Sequence, residues 1–419
     1  MSSWLNLQKS LMESHDLIAE IDVETTTLTR IGGYKATPYS LGLKLFSIPT
    51  AKSLKGVWRW WARVAIVGAY NGKVNYKKAN EHLNKILGGT GKDEGVSLFK
   101  LEISDIKFPQ NYEDKLSQII GKIDEFSNYL QKIPRVKLLL MKREEERVKE
   151  EMSILISEGL KFRISLYGSR DVEKVNFALS SLMLSLIFGG IGSITKRGFG
   201  SLRVLSFRFG YGLKVDQELQ KIFQEVQDKE FTENELKEKL KKMCNITMNY
   251  AKRLFDISIS KEEEEGIPEV PSLNNIRIEV VECKSLNLAE IGNAFVKQTW
   301  KKHPRAQGRN LHTWILGLPR FQKKTGYAIK RDKSYDPLRR ISSIGVRFFK
   351  ACNKDFIIIY GLLSKDWPEN LYHIRRGEPR EKLVREISIG NSIEKVFDYA
   401  FRKVLECIKS SCQRGVKSG

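Results

Sequence analysis

Along residues 16–28 apolar side chains alternate with polar ones: Leu17, Ala19, Ile21 and Val23 lead into Thr25, Thr26 and Thr27. A period of two predicts a half-buried strand, and Gly32 and Gly33 end it. After Pro49 the period becomes 3.6, with Leu54, Val57, Trp58, Trp61, Ala62 and Ala65 marking one face of a helix over 53–67. That spacing puts Trp58 and Trp61 in the core. A glycine-rich turn over 88–95 precedes a second strand at 96–106, and Phe162, Ile164 and Leu166 alternate in a third at 161–168. Asp171 and Glu173 then open a helix through Phe177, Leu182, Leu186 and Phe188, and a last strand runs towards Phe209.

Strand, helix, strand, strand, helix, strand is the βαββαβ order of a ferredoxin-like unit. Residues 111–160, rich in Lys, Glu and Leu, read as solvated helices inserted between its strands, and 216–259 read as helical. A run of glutamates at 262–265 with Pro268 and Pro271 reads as a linker. Beyond it the pattern restarts more loosely. Ile276, Ile278 and Val280 suggest a strand, 288–302 a helix with Lys297 and Lys301 on one side, 311–318, 341–349 and 356–363 further strands, and 393–408 a closing helix. The expectation is an α+β chain of tandem ferredoxin-like, RRM-like domains with helical insertions. Its divisions are an N-terminal domain over 1–212, a connector over 213–270 and a degenerate second copy over 271–419.

Charge changes the picture from fold to partner. The 419 residues carry 72 Lys and Arg against 50 Asp and Glu, a formal net charge of +22. Residues 30–80 hold ten basic residues and no acidic one, 188–214 hold five and none, and 286–350 net +12. These stretches exceed the whole-chain charge by five, so the remainder nets −5. Segregation of this kind points to a polyanion, and interleaved Trp and Tyr point to RNA or single-stranded nucleic acid, whose bases stack on rings while cations meet phosphates. On the 53–67 helix Lys55, Arg59 and Arg63 recur every four residues, a basic stripe with no acidic neighbour.

Other chemistries fit poorly. The five cysteines (Cys244, Cys283, Cys352, Cys407 and Cys412) form no CxxC pair, so neither a zinc ribbon nor a disulfide framework is expected, and no cofactor or metal is implied. Residues 1–14 lack the apolar core of a secretory signal, and the uncharged run 175–195 carries Asn176, serines and glycines and reads as a buried helix plus loop. Cytoplasmic residence without a membrane partner is expected. The Gly88-Gly89-Thr90-Gly91-Lys92 peptide misses a phosphate loop, because Ile86 stands where its first glycine belongs and Asp93 follows the lysine. At 189–201 five glycines surround Lys196 and Arg197. Backbone N–H groups and two cations there would approach a phosphate backbone, although the same glycines also suit a plain helix-to-strand turn. Thr195 breaks a dinucleotide fingerprint in this loop.

Three of these features together resemble the RAMP superfamily of CRISPR effector proteins, and within it the RAMP subunits of Cmr (type III-B) complexes. They are residues 48–63 (IPTAKSLKGVWRWWAR), Leu87-Gly88-Gly89 with Gly95, and the 189–201 loop. The resemblance covers the N-terminal half. It implies a non-catalytic, RNA-binding subunit that helps cap the 3′ end of a crRNA filament and engages guide and complementary target RNA beside other Cmr subunits. Carried onto this chain, the RNA contacts are Lys52, Ser53, Lys55, Arg59 and Arg63 from the first motif and Gly190, Gly192, Lys196 and Arg197 from the loop. Charge alone adds Lys301, Lys302, Arg305 and Arg309. The competing class is a metal-independent endoribonuclease, since some RAMP relatives cleave RNA by acid–base attack through its 2′-hydroxyl, which usually recruits histidine. Of the five histidines only His303 and His312 lie in or beside a basic segment, without paired catalytic spacing. A purely structural, protein-contacting subunit is a third class, disfavoured by the segregated charge.

Overall fold

The computed structural model describes residues 16–29, 48–89, 95–109, 158–228, 230–258, 266–283, 313–318, 340–375, 382–388 and 393–414, with short pieces at 31, 39–40, 45–46, 291–292, 294–295, 320–322 and 325–328. Within the N-terminal half, β1 (Asp16–Thr25), β2 (Phe99–Lys107), β3 (Lys161–Gly168) and β4 (Leu202–Phe209) form one antiparallel sheet in the order β2-β3-β1-β4. That order is the one a βαββαβ chain makes. Register follows the period-two pattern: Ile21 faces Ile164 on one side and Phe207 on the other. On the opposite face Asp22, Glu20 and Glu24 pair with Arg163 (2.8 Å), Arg208 (3.1 Å) and Lys161 (3.7 Å).

Helices α1 (Ala51–Ala69), α2 (Tyr76–Leu87) and α3 (Val172–Leu184) cover the apolar face. Thr50 starts α1 through a capping box with Ser53, each side chain accepting from the other's backbone N–H. Trp58 and Trp61 are buried as the periodicity requires, and Trp58 Nε1 donates to Ser181 Oγ at 2.8 Å. Helix α3 continues as a π turn over Ser185–Gly189, and this apolar segment, long enough on paper to span a bilayer, is 83% buried inside the fold. Helix α2 is an element the hydrophobic pattern had not suggested; Asn75 caps it by accepting from Lys78 N–H at 3.1 Å. The connector comprises α4 (Gln217–Asp228) and α5 (Glu233–Leu254).

The expected linker is a packed strap where it is described. Val270, Ser272 and Leu273 are buried, Leu273 N–H donates to Val64 O at 3.2 Å, and a Cβ on Gly72 would sit 2.7 Å from Pro268. It leads into β5 (Arg277–Glu282). Short strands β6 (Arg320–Gln322) and β7 (Thr325–Ala328) precede β8 (Ile344–Ala351) and β9 (Lys354–Gly361), followed by β10 (Asn370–Arg375), β11 (Lys382–Ser388) and α6 (Ile393–Arg414). The second sheet has the order β8-β9-β5, and the sheet β11-β10-β7-β6, unforeseen in the sequence, lies outside it. Where the pattern suggested a strand at 311–318, Thr313–Leu316 is a single 3-10 turn. All four of its residues are buried, so it lacks the alternation of a one-faced strand.

The second sheet is buried on both faces, which explains the unbroken apolar run Phe356 to Tyr360. Ile358 and Tyr360 join the core of the N-terminal half, whereas Ile357 and Ile359 join a second core beneath α6. The two halves therefore share hydrophobic surface. Although the spacing of the cysteines gave no pairing signal, Cys283 at the end of β5 and Cys412 near the end of α6 are disulfide-bonded across 129 residues of chain.

Candidate nucleic-acid interface

The basic stripe of α1 faces α2. Between them, closed at one end by the turn after α2, lies an open groove of about 660 Å³ lined by Lys55, Arg59, Arg63, Asn80, Asn84 and the glycine-bearing stretch of Gly88, Gly89 and Gly95. Among the described residues its lining holds three cations and no carboxylate. Spacing of four on each helix creates the two walls, since residues i and i+4 share a face.

The cations differ in what they touch. Arg59 is fully engaged by the protein: its guanidinium donates to Leu87 O (3.0 Å), Gly88 O and Asn84 Oδ1 (2.6 Å), satisfying carbonyls that the end of α2 would leave orphaned. Arg63 Nε donates to Asn80 Oδ1 at 2.7 Å, and its guanidinium lies 5.7 Å from the Tyr76 ring centroid. Lys55 Nζ makes one long contact, 3.4 Å to Phe99 O. Burial, and then the neighbouring charge of Arg59, hold its pKa below the usual lysine range. Lys52 is exposed on the first turn, and the Ser53 hydroxyl is occupied by the capping box. Gly56, between Lys52 and Arg59, is exposed, and a Cβ there would meet nothing within 4 Å. Gly88 by contrast is structural: at φ 70°, its added Cβ would lie 2.7 Å from Ser97 N.

The groove lies within the stretch that matches a known protein family. The RAMP superfamily model matches residues 23–203, from β1 into β4. A Cmr subunit of Pyrococcus furiosus, Cmr1-2 of its CRISPR system, is 32% identical over 164 residues, which is 38% of this chain and 84% of the relative. The chain belongs to the RAMP superfamily, among its Cmr type III-B subunits. Two cryo-EM structures of the type III-B Cmr-beta assembly bound to cognate target RNA contain a chain of like fold. One, also holding AMPPnP and in the presence of single-stranded DNA, matches at TM-score 0.59 and 16% identity, and the other at 0.57 and 16%; each match covers 94% of this chain and 100% of the other.

In this RAMP protein the second motif group lies away from the groove. Lys196 and Arg197 turn inward to the boundary between the halves instead of outward. Lys196 Nζ donates to Ser342 O at 2.9 Å and sits 4.9 Å from the Trp60 ring and 5.5 Å from that of Tyr360. Burial, reinforced by Arg340 and Arg197, pushes its pKa down to about 7. Arg197 is buried, donating to Ser342 Oγ and Ile344 O (both 3.3 Å) and to Leu316 O. Gly190 is buried with them, and only the loop tip at Gly192 and Ser193 is exposed. Apolar neighbours rather than solvent surround this part of the loop, so its cations find carbonyls and rings. The residues singled out by charge alone (Lys301, Lys302, Arg305 and Arg309) lie outside the described residues, as do His303 and His312. His82 is a buried histidine between Tyr70, whose hydroxyl lies 2.7 Å from Nε2, and the Phe255 ring at 4.6 Å.

The residues missed in the sequence are Asn80 and Asn84. Their spacing of four, between the capping Asn75 and Gly88, was the available signal.

Proposed function

We propose that this protein is a non-catalytic RNA-binding subunit of a cytoplasmic type III-B CRISPR ribonucleoprotein, contacting the crRNA 3′ region or the paired target RNA beside other Cmr subunits. The observation that carries this reading is the groove between α1 and α2, whose described lining carries Lys55, Arg59 and Arg63 without an acidic residue. Lys52, Lys55 and Arg63 meet phosphates, Arg59 and Ser53 shape the wall, and Gly56 lets the RNA backbone come close. The exposed Gly192 tip is a second contact. The basic segment with Lys301, Lys302, Arg305 and Arg309, outside the described residues, contributes to RNA binding by its charge alone. Contact of this kind reads backbone more than base. The strand orders β2-β3-β1-β4 and β8-β9-β5 support a tandem ferredoxin-like plan whose second copy lacks a fourth strand among the described residues.

The test is the salt dependence of binding to a labelled single-stranded crRNA. Replacing Lys52 and Lys55 together by glutamine lowers affinity and reduces the slope of log K against log salt by about 0.7 for each lost phosphate contact. An unchanged slope in a folded double variant would sink the proposal.

A further inference from the structure

Two arginines cross the boundary between the halves in opposite directions. Arg197, from the glycine loop, donates to Ser342, Ile344 and Leu316 of the C-terminal half. Arg347, from β8, is 0% exposed and enters the loop, its Nη1 donating to Thr195 O (2.9 Å) and Phe199 O (3.0 Å) and its Nη2 to Gly200 O (2.9 Å). No carboxylate pairs with Arg347 among its described neighbours, and burial pushes its pKa down to about 10.

The polarity of the loop decides what it recognises. An anion cradle turns N–H groups towards its guest. Here the groups that converge inside are three carbonyl oxygens, which is the lining of a cation socket. The loop amides of Gly190, Ile191, Arg197, Gly198 and Gly200 donate to backbone carbonyls, and that of Ser201 to Thr27 Oγ1 at 3.0 Å. Glycine is required at 190 by the guest itself: at φ 75°, an added Cβ would lie 1.9 Å from Arg347 Nη2. The same loop borders β8 through Val346 N–H, which donates to Lys196 O at 3.1 Å, and Phe348 N–H, which donates to Ser201 Oγ at 3.0 Å. Ile194, a β-branched residue at φ 57°, is held in the left-handed region within this frame.

We propose that the 189–201 loop is a guanidinium socket for Arg347, that Arg347 and Arg197 together fix the two halves as one body, and that the inner part of the loop serves this junction and not RNA. This stands independently of the groove reading. It also makes Arg347 a positioning residue, one that sets where the C-terminal half lies relative to the groove without touching the RNA.

Hydrogen exchange on the full chain, with and without a labelled single-stranded RNA, gives the first test. Protection on RNA addition is expected along 51–63 and 76–89 and absent at 195–200; protection at 195–200 overturns the proposal. In the second test, Arg347→Met accelerates exchange of the Val346 and Phe348 amides about tenfold or more, because Phe199 O loses its guanidinium partner and Thr195 O and Gly200 O are left with only the Gly198 and Ile191 amides. Arg347→Lys, with the charge but not the planar fork, restores only part of the protection. Both variants keep the wild-type salt slope of RNA binding. A reduced slope with unaltered exchange at Val346 and Phe348 would show that the loop's surroundings meet phosphate. Should Arg347→Met fail to fold, the milder Ser342→Ala, which removes one acceptor of Arg197, carries the same comparison. Failure of the wild type to bind RNA would count against the groove alone, and the exchange rates of the variants would still decide the socket.

Discussion

The guanidinium of Arg59 lies 3.0 Å from the carbonyl of Leu87, so a residue of α1 closes the end of α2. Helix α2 ends at Gly88, and the last carbonyls of a helix have no partner of their own. A cation at that position also complements the helix dipole. Arg59 is thus a builder of the groove first. Arg59→Met leaves Leu87 O and Gly88 O without their donor and is expected to destabilise the fold by about 1–3 kcal/mol, read as a lower denaturant midpoint with an unchanged m value. An unchanged midpoint would mean that water replaces the guanidinium without loss.

Gly56 makes a contrasting prediction. It occupies an exposed position inside α1, where alanine would stabilise the helix by about 0.5–1 kcal/mol and would touch nothing. Gly56→Ala should therefore raise the melting temperature and, if the proposed RNA path is right, weaken crRNA binding, because the added methyl would stand where that path brings the RNA backbone. A variant that gains stability and binds RNA as tightly as the wild type would show that no ligand comes close to this turn.

The legible parts of this fold were those where one face is wet and the other dry. Alternation located β1 and β3 and the 3.6 period located α1, with Trp58 and Trp61 buried as it implied. The basic stripe was legible because Lys55, Arg59 and Arg63 recur every four residues on one helix. Its opposite wall was not, since α2 is short and polar and Asn80 and Asn84 carry no charge to draw attention. Nor could the sequence show which way the 189–201 loop faces. Glycines permit both an anion cradle and a socket, and only the partner Arg347, about 150 residues away, distinguishes them. The Cys283–Cys412 bridge was hidden for the same reason, its partners being 129 residues apart.

That bridge has a measurable consequence. Thiol titration of the unfolded, unreduced chain should find three thiols, those of Cys244, Cys352 and Cys407, and all five after reduction. The bond ties α6 to the second sheet, and closing so long a loop restricts the unfolded chain, so reduction should destabilise the fold by roughly 2–4 kcal/mol. The cost should fall first on α6, whose Val404 and Ile408 pack in the second core. Five reactive thiols before reduction would refute the pairing.

The last prediction concerns Lys196, enclosed at the junction by Trp60, Tyr360 and the Ser342 carbonyl. The charged groups that act on it are Arg340 and Arg197, which disfavour its ammonium, and Asp366, which favours it. Arg340 is itself held by Asp366 at 2.7 Å, and Asp366 accepts from Tyr76 OH at 2.8 Å, so the carboxylate is shared before Lys196 feels it. Burial dominates and sets the folded pKa at about 7, against 10.5 for an ordinary lysine. Between these values the unfolded chain binds a proton that the folded chain releases, and stability must rise with pH; below about 7 both states are protonated and the dependence vanishes. The slope is at most about 1.4 kcal/mol per pH unit. His82, drawn below its ordinary 6.5 by burial, titrates below the window, whereas Cys244, pushed up to about 12 by burial, opposes the rise as pH nears 9.0, where only its unfolded thiol ionises; that opposition is small at pH 9 beside the Lys196 contribution. Melting curves of the wild type should therefore move upward from pH 7 to 9, and those of Lys196→Met should move less. Parallel shifts in the two proteins would assign the pH dependence to other groups and leave Lys196 charged at neutral pH.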